Sequence, residues 1–464
     1  MAGSTKPITD APITDARRLG YPKMALLGLQ HMFAMFGATV LVPLISGLSV
    51  QVTLIGVGVG TLIFHYFAKG RVPVFLGSSF AFLVGIQLIT NPNYGIYAGT
   101  DMTHQEKLSY ATGGIFVAGL IYLVLALIIK LVGVRKVMRY LPPVVTAPIV
   151  LIIGIMLAPF AINMSASNIL LAVVALGIVI IASIWGKGMV KIVPIVLGIV
   201  GAYVFALILH FAGVTNPDGS AIFDFTQAAQ ANIVGAPPFV LARFDIVAIL
   251  VMAPFALATI AEHIADMVAL TSITGKNFVE NPGLHRTLIG DGLATTFSGL
   301  IGGPASTTYG ENVGVVVLTK VHDAKVVILA AIYATVLGFL PIFAALIYTI
   351  PDAIVGGVSF ILYGMIAAVG IRTLVEHRVD ISKTRNLIIL AVVMVSGLGL
   401  RFANPITFTI AGTNIPIDRL GIAIAAILGI LLNAILPGKD YEFGENTEGD
   451  SAINLGGIRA KEEK

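Results

Sequence analysis

Cysteine is absent from this chain of 464 residues, which excludes a disulfide framework and any thiolate metal site. Charge is scarce: Asp, Glu, Lys and Arg make up 11% of residues, against roughly 25% in a soluble globular domain, while 57% are hydrophobic. A water-soluble fold of this length needs charge to cover its surface, so a lipid bilayer must cover much of this one. The net charge of +4 is small, and no nucleic-acid partner is expected. No cleavable leader is expected either. Residues 1–20 are polar (Lys6, Asp10, Asp15, Arg17, Arg18), with neither an apolar core nor a small-residue cleavage site. That stretch reads as a disordered cytoplasmic tail, and so does 439–464.

What is abundant is glycine, with fifty residues, and long apolar runs. Small residues let spanning helices approach closely. A bilayer core about 30 Å thick takes roughly 20 apolar residues of helix. Such runs lie near 25–46, 51–68, 74–91, 108–129, 144–161, 168–186, 192–213, 246–271, 287–303, 304–319, 326–349, 352–371, 386–400 and 420–437. The expected fold is therefore an all-α membrane protein of fourteen transmembrane segments. The third and tenth runs hold Gly77-Ser78-Ser79 and the stretch from Pro304 to Asn312, so unbroken helices are not expected there. With the N-terminus inside, 24 of the 28 Lys and Arg residues fall in inner segments; Lys107, Arg243, Arg401 and Arg419 fall outside. Both termini are then cytoplasmic.

Matching landmarks divide the chain into halves of seven spans. Gln30-His31 in the first span corresponds to Glu262-His263 in the eighth, and broken spans recur at the third and tenth positions. Seven is odd, so the second half enters from the opposite side. This makes an inverted repeat, and interrupted spans at matching places mark a transporter's binding site.

Charges at bilayer depth are costly and mark function. Glu262, Asp266, Asp291 and Glu311 lie inside expected spans, with no Lys or Arg deep in any span to neutralise them. Glu262 and Asp266 are four apart, on one face of the eighth helix. Glu311 belongs to the broken tenth span, where non-helical backbone can line a cavity; it and Glu262 are expected to face one cavity. Asp291 reads as a first-turn helix acid near the inner mouth of the ninth span. His31 and His263 read as hydrogen-bonding struts, with a proton relay as the alternative, and His65 as interfacial.

Carboxyls in such places can carry a proton, and can bond a substrate N–H while ionised. A uracil ring offers two N–H donors and two carbonyl acceptors. Main-chain N–H groups at the broken ends of the third and tenth spans could serve the carbonyls, and Phe80 or Tyr309 could stack on the ring. One proton moving down roughly 100 mV supplies about 2.3 kcal/mol, close to a 50-fold concentration ratio. The proton is the coupling ion, and no cofactor is expected.

The stretch Glu311-Asn312-Val313-Gly314-Val315-Val316-Val317-Leu318-Thr319-Lys320 resembles the signature of the nucleobase–ascorbate (nucleobase:cation symporter-2) transporter family. The segments Thr307-Thr308-Tyr309-Gly310-Glu311-Asn312, Leu29-Gln30-His31-Met32-Phe33-Ala34-Met35-Phe36-Gly37-Ala38-Thr39 and Leu76-Gly77-Ser78-Ser79-Phe80-Ala81-Phe82 resemble its bacterial uracil-permease branch. So do Ala261-Glu262-His263 and Asn281-Pro282-Gly283-Leu284-His285-Arg286, and the likeness runs from Tyr21 to Pro437. The resemblance implies two inverted seven-span repeats and a short strand in each of spans three and ten. It implies a core domain (21–130 and 244–350) and a gate domain (131–243 and 351–438). Glu262 and Glu311 would hold the base through side chains, and Phe80 and Gly310 through main-chain amides, with Tyr309 bordering the pocket. Proton coupling would fall to Glu262, Asp266 and Glu311, with Asn312, Ser79, Gln30 and His31 in support. Members are often homodimers.

One departure stands out. Where the uracil branch has a second histidine four residues after the glutamate, this chain has Asp266, as purine-type members tend to; those usually carry Gln at the position of Glu311. Uracil leads on Glu311, with xanthine or another purine as the alternative. An anion transporter of similar fold would want basic residues in the pocket. An intramembrane enzyme would need a motif such as Gly-x-Ser-Gly or His-Glu-x-x-His in a span, and none occurs.

Overall fold

The computed structural model describes residues 12–441 apart from 94, 405, 411, 412 and 440. The chain is mostly helical. Fourteen helices carry the architecture: α1 (Tyr21–Ser46), α2 (Val50–Phe67), α3 (Ala81–Thr90), α4 (His104–Val132), α5 (Pro143–Ser165), α6 (Ile169–Trp185), α7 (Pro194–Phe211), α8 (Phe255–Thr274), α9 (Leu284–Leu300), α10 (Gly310–Thr319), α11 (Ala324–Leu337), α12 (Asp352–Glu376), α13 (Thr384–Met394) and α14 (Gly421–Ile435). Local chemistry sets their ends. Gly47 closes α1 in the left-handed conformation, Ser49 caps α2, a reciprocal Thr103–Glu106 capping box starts α4, and Asn168 caps α6.

Among the described residues, eight helices are long and apolar enough to cross a membrane. A ninth span results if α11 and the helix Pro341–Tyr348 are taken together, although they meet at a bend of 84°. The apolar run 326–349 is thus two helices and not one, broken where Gly338 and Pro341 interrupt it. The third and tenth runs divide differently. Each is a three-residue strand followed by a ten-residue helix: β1 (Leu76–Ser78) before α3, and β2 (Ser306–Thr308) before α10.

Packing sorts the helices into two groups. α9 packs on α2 and α4, and α11 on α1 and α2. Separately, α12 packs on α5 and α6, α6 on α7, and α14 on α13 and α5. The groups meet chiefly where α3 and α8 touch α5, and where α1 touches α7. Outward from both groups, large apolar side chains such as Leu131, Ile184, Trp185, Phe211 and Val395 are more than half exposed, as a lipid-facing surface requires.

Ahead of α1, the chain is tied down. Ile13 N–H donates to Lys320 O (2.8 Å), His322 N–H donates to Ile13 O (2.9 Å), and Ala16 N–H donates to Asp323 Oδ2 (2.8 Å). Ala16 is fully buried with Val321 and Val326. Residues 13–19 are therefore ordered, which corrects the expectation of a disordered tail over their part of 1–20; residues 1–11 and 442–464 lie outside the described residues.

Candidate functional site

At the middle of the first group, β1 and β2 cross antiparallel, with Leu76 opposite Thr308, Gly77 opposite Thr307 and Ser78 opposite Ser306. Two further bonds extend the ladder: Tyr309 N–H to Phe75 O (3.2 Å) and Ser79 N–H to Ala305 O (2.8 Å). A two-stranded ladder leaves outward N–H and C=O groups, and no water is at hand in such an interior to satisfy them. Two threonines do so. Thr61 of α2 accepts from Leu76 N–H (3.0 Å) and donates to Leu76 O (3.2 Å). Thr295 of α9 accepts from Ser306 N–H (3.2 Å) and donates to Ser306 O (2.9 Å). The same device serves both strands.

Gly77 permits the crossing. A Cβ built there would stand 2.2 Å from the ring of Tyr309, whose hydroxyl donates to Ser78 O (2.7 Å). Tyr309 is 4% exposed and spans from β2 to β1, so it braces the crossing instead of presenting an open ring face. Phe80, which precedes α3, is half-buried, and its ring lies edge-on to Tyr363 of α12 at 6.3 Å. Gly310 begins α10, is exposed, and has open space where a Cβ would be. The first turns of α3 and α10 thus bring main-chain donors and helix N-termini to the ends of the crossing.

α8 runs beside β2. Thr308 Oγ1 donates to Asp266 Oδ2 (2.6 Å), which turns that face of α8 toward the strand. Glu262, one turn earlier on the same face, is exposed. The main chain of Glu311 lies in the first turn of α10; its side chain lies outside the described residues. The expected meeting of the two glutamates is therefore described on one side only.

The supporting residues divide. His31 and Asn312 are buried, with His31 Nδ1 and Asn312 Oδ1 2.8 Å apart, so they tie α1 to α10. Ser79 is buried at the end of the ladder. Gln30 points instead to the thioether of Met189, away from the strands. Two expectations are corrected outright. Asp291 is not a first-turn acid at the mouth: α9 begins at Leu284, two turns earlier, and Asp291 is fully buried with its Oδ2 2.9 Å from His263 Nδ1. His65 is not interfacial but buried, its ring edge-on to Phe64 at 5.5 Å. The sequence reading missed Thr61, Thr295, Thr308 and Tyr363. The spacing of Thr61 and Thr295, each in the helix before a broken span, was the available signal for two of them.

Comparison with known proteins bears on this site. A family model described as "Permease family" matches residues 22–406. The uracil permease of Bacillus caldolyticus is 38% identical over 452 residues, covering 94% of this chain and 96% of that protein. The uracil permease of Bacillus subtilis is 37% identical over 439 residues (90% and 94%). A putative pyrimidine permease of Escherichia coli is 38% identical over 429 residues (91% of each). Among solved structures, the transmembrane domain of a cyanobacterial bicarbonate transporter superposes with a TM-score of 0.58 at 16% identity, covering 91% of this chain and 99% of that one. The murine anion transporter solute carrier 26 A9, inward-facing, gives 0.61 at 12% identity (89% and 68%). At such identities these two speak for the fold alone.

Proposed function

From the premise that the chain belongs to this permease family, the nucleobase:cation symporter-2 transporters, we propose that it takes up uracil with a proton by alternating access. It is a multi-pass membrane transporter and not an enzyme. The proposed membrane is the cytoplasmic one, with both chain termini inside. Fourteen segments cross or enter it as two inverted repeats of seven. The repeated threonine clamps on β1 and β2 support that symmetry, and so does the helix pairing: α9 against α4 repeats α2 against α11, and α12 against α6 repeats α5 against α13. The group α1–α4 with α8–α11 acts as the core, and α5–α7 with α12–α14 as the gate.

The observation that carries the reading is the packing of α8 against the strand crossing and the two helices that leave it. α8, which carries the exposed Glu262, packs on β2 and on α3 and α10, whose starts hold Phe80, Gly310 and Glu311, and this packing supports the reading. A carboxylate accepts from a ring N–H, and a helix-start N–H donates to a ring carbonyl, which is the complement of a uracil edge. Glu262 and Glu311 then alternate between binding base and binding proton, while α12, carrying Tyr363 against Phe80, closes one side. Asp266, the departure from the uracil pattern, is engaged by Thr308 of β2, so its presence needs no change of substrate. A purine such as xanthine is the second reading, on that same residue.

Proteoliposomes test the proposal. Labelled uracil should accumulate when an inward proton gradient is imposed, xanthine should compete poorly, and Glu311→Gln should abolish or redirect uptake while the protein stays folded. Uptake indifferent to the gradient removes symport. Wild-type uracil affinity in Glu311→Gln removes the site.

A further inference from the structure

The end of α10 away from the strand crossing is fastened by a segment that no step above uses. α10 has ten residues, about 15 Å at 1.5 Å per residue, with Gly314 in its interior. A Cβ added at Gly310 or Gly314 would meet nothing within 4 Å, and Val317 is 49% exposed. A helix so short, with a glycine inside, depends on what holds its two ends. Its start is held by the ladder through Tyr309 and by the pairing of Asn312 with His31.

Its other end is held by the residues that precede α1. Lys320 leaves α10 in the left-handed conformation (φ 54°) and turns the chain into Val321. Ile13 pairs in parallel with Val321 there; its N–H donates to Lys320 O, and its C=O accepts from His322 N–H. Asp323, 7% exposed, joins this segment to α11 with one carboxylate. Oδ1 accepts from Lys325 N–H (3.0 Å) and caps α11, while Oδ2 accepts from Ala16 N–H (2.8 Å). Asp15 Oδ1 lies 3.5 Å from Lys325 Nζ. Residues 13–16 thus bind the end of α10 and the start of α11, and a short 3₁₀ turn (Ala16–Leu19) then leads into α1.

We propose that Asp323 is a positioning residue for substrate binding: it docks residues 13–16 on the end of α10, and that docking sets where the first turn of α10 presents the Gly310 main chain and Glu311. The proposal rests on the reading of α10 as a substrate-binding helix. A carboxylate suits the task because each of its oxygens takes a main-chain N–H from a different segment. α11, to which it fastens the segment, packs on α1 and α2, so the far end of α10 is referred to the same helices that frame the strand crossing. A short helix passes a shift at one end to the other, as coupling through rigid elements requires.

The test uses the full chain purified in detergent. Uracil affinity is read by calorimetric titration, stability by melting temperature, and the order of α10 by amide hydrogen exchange without uracil. Asp323→Ser keeps a capping oxygen for Lys325 N–H, serine and aspartate being near-equal helix caps, but leaves none for Ala16. It should speed exchange along α10, leave α11 protected, and weaken uracil binding by roughly two- to thirtyfold, the usual size of such couplings. The chain has no cysteine, so Ile13→Cys with Val321→Cys offers one disulfide across the parallel pair. Added to Asp323→Ser and oxidised, it should restore slow exchange and wild-type affinity, and a reductant should abolish both. A lower melting temperature with unchanged uracil affinity would make Asp323 purely structural and overturn the proposal. So would a disulfide that fails to form, or one that forms without rescue. Absence of uracil binding in the wild type would sink the substrate reading alone; the positioning role would then stand or fall on exchange along α10.

Discussion

Replacing Thr295 by valine tests whether the strand crossing stands on its side-chain clamps. Valine matches threonine in shape and keeps the branched Cβ, so packing changes little while the hydroxyl is lost. In the wild type that hydroxyl accepts from Ser306 N–H at 3.2 Å and donates to Ser306 O at 2.9 Å, with both residues fully buried. Its removal leaves a main-chain donor and a main-chain acceptor without those partners. An unsatisfied buried group costs about 1–3 kcal/mol, so two cost about 2–6 kcal/mol. Part of this should appear as a lower melting temperature in detergent. Part should appear as weaker uracil binding, because Gly310 starts α10 only two residues after β2 ends. Thr295→Ser keeps the hydroxyl and should stay near wild type in both assays. Thr61→Val removes the equivalent bonds to Leu76 and should behave alike. Since both act on one ladder, the double variant should fall short of additive. Equal melting and equal uracil affinity for Thr295→Val and Thr295→Ser would refute the reasoning.

Gly77→Ala forces a Cβ to within 2.2 Å of the Tyr309 ring and should destabilise by about 1–3 kcal/mol; Tyr309→Ala in the same chain should relieve it, and a chemical-denaturation series measures both. Asp266→Asn leaves an oxygen for Thr308 Oγ1 while removing the charge, so uracil affinity should change by less than roughly threefold while the pH profile of uptake moves. An unmoved profile would reject a proton-linked role for Asp266. In the loop between α10 and α11, burial and then the nearby Lys276 lower the His322 pKa from its usual 6.5. A histidine held neutral by the fold costs nothing above pH 6.5, where the unfolded form is neutral as well. As pH falls below that value the unfolded form takes up its proton first, so stability is lost between 6.5 and the lowered folded value. The docking of residues 13–16 on His322 and Asp323 should loosen over that window, read as falling amide protection factors at Ile13 and Ala16; constant protection would contradict it.

Much of the architecture could be read before any coordinates because hydrophobic length and charge placement are local quantities. A bilayer-length apolar run needs no partner to be recognised, and Gly77-Ser78-Ser79 and Pro304 disqualify an unbroken helix by their own chemistry. The spacing that pairs Gln30-His31 with Glu262-His263, and one broken span with the other, is likewise a property of the chain. The same is true of the motif around Glu311, which carried the family resemblance.

What could not be read was pairing. Asp291 taken alone is an acid near a helix start; only the packing of α8 on α9 sets it beside His263 in the interior. Asp266 taken alone is a second carboxylate on the face of α8 that carries Glu262; only β2 brings it the hydroxyl of Thr308. Gln30 sits next to His31 in sequence, yet a 100° turn of helix sends one to Met189 and the other to Asn312. Sequence determined that the chain is a lipid-embedded permease of the matched family, with carboxylates inside its apolar runs. Tertiary structure alone decided which polar groups satisfy one another, because a buried hydrogen bond depends on two segments meeting within about 3 Å, and no single segment contains that distance.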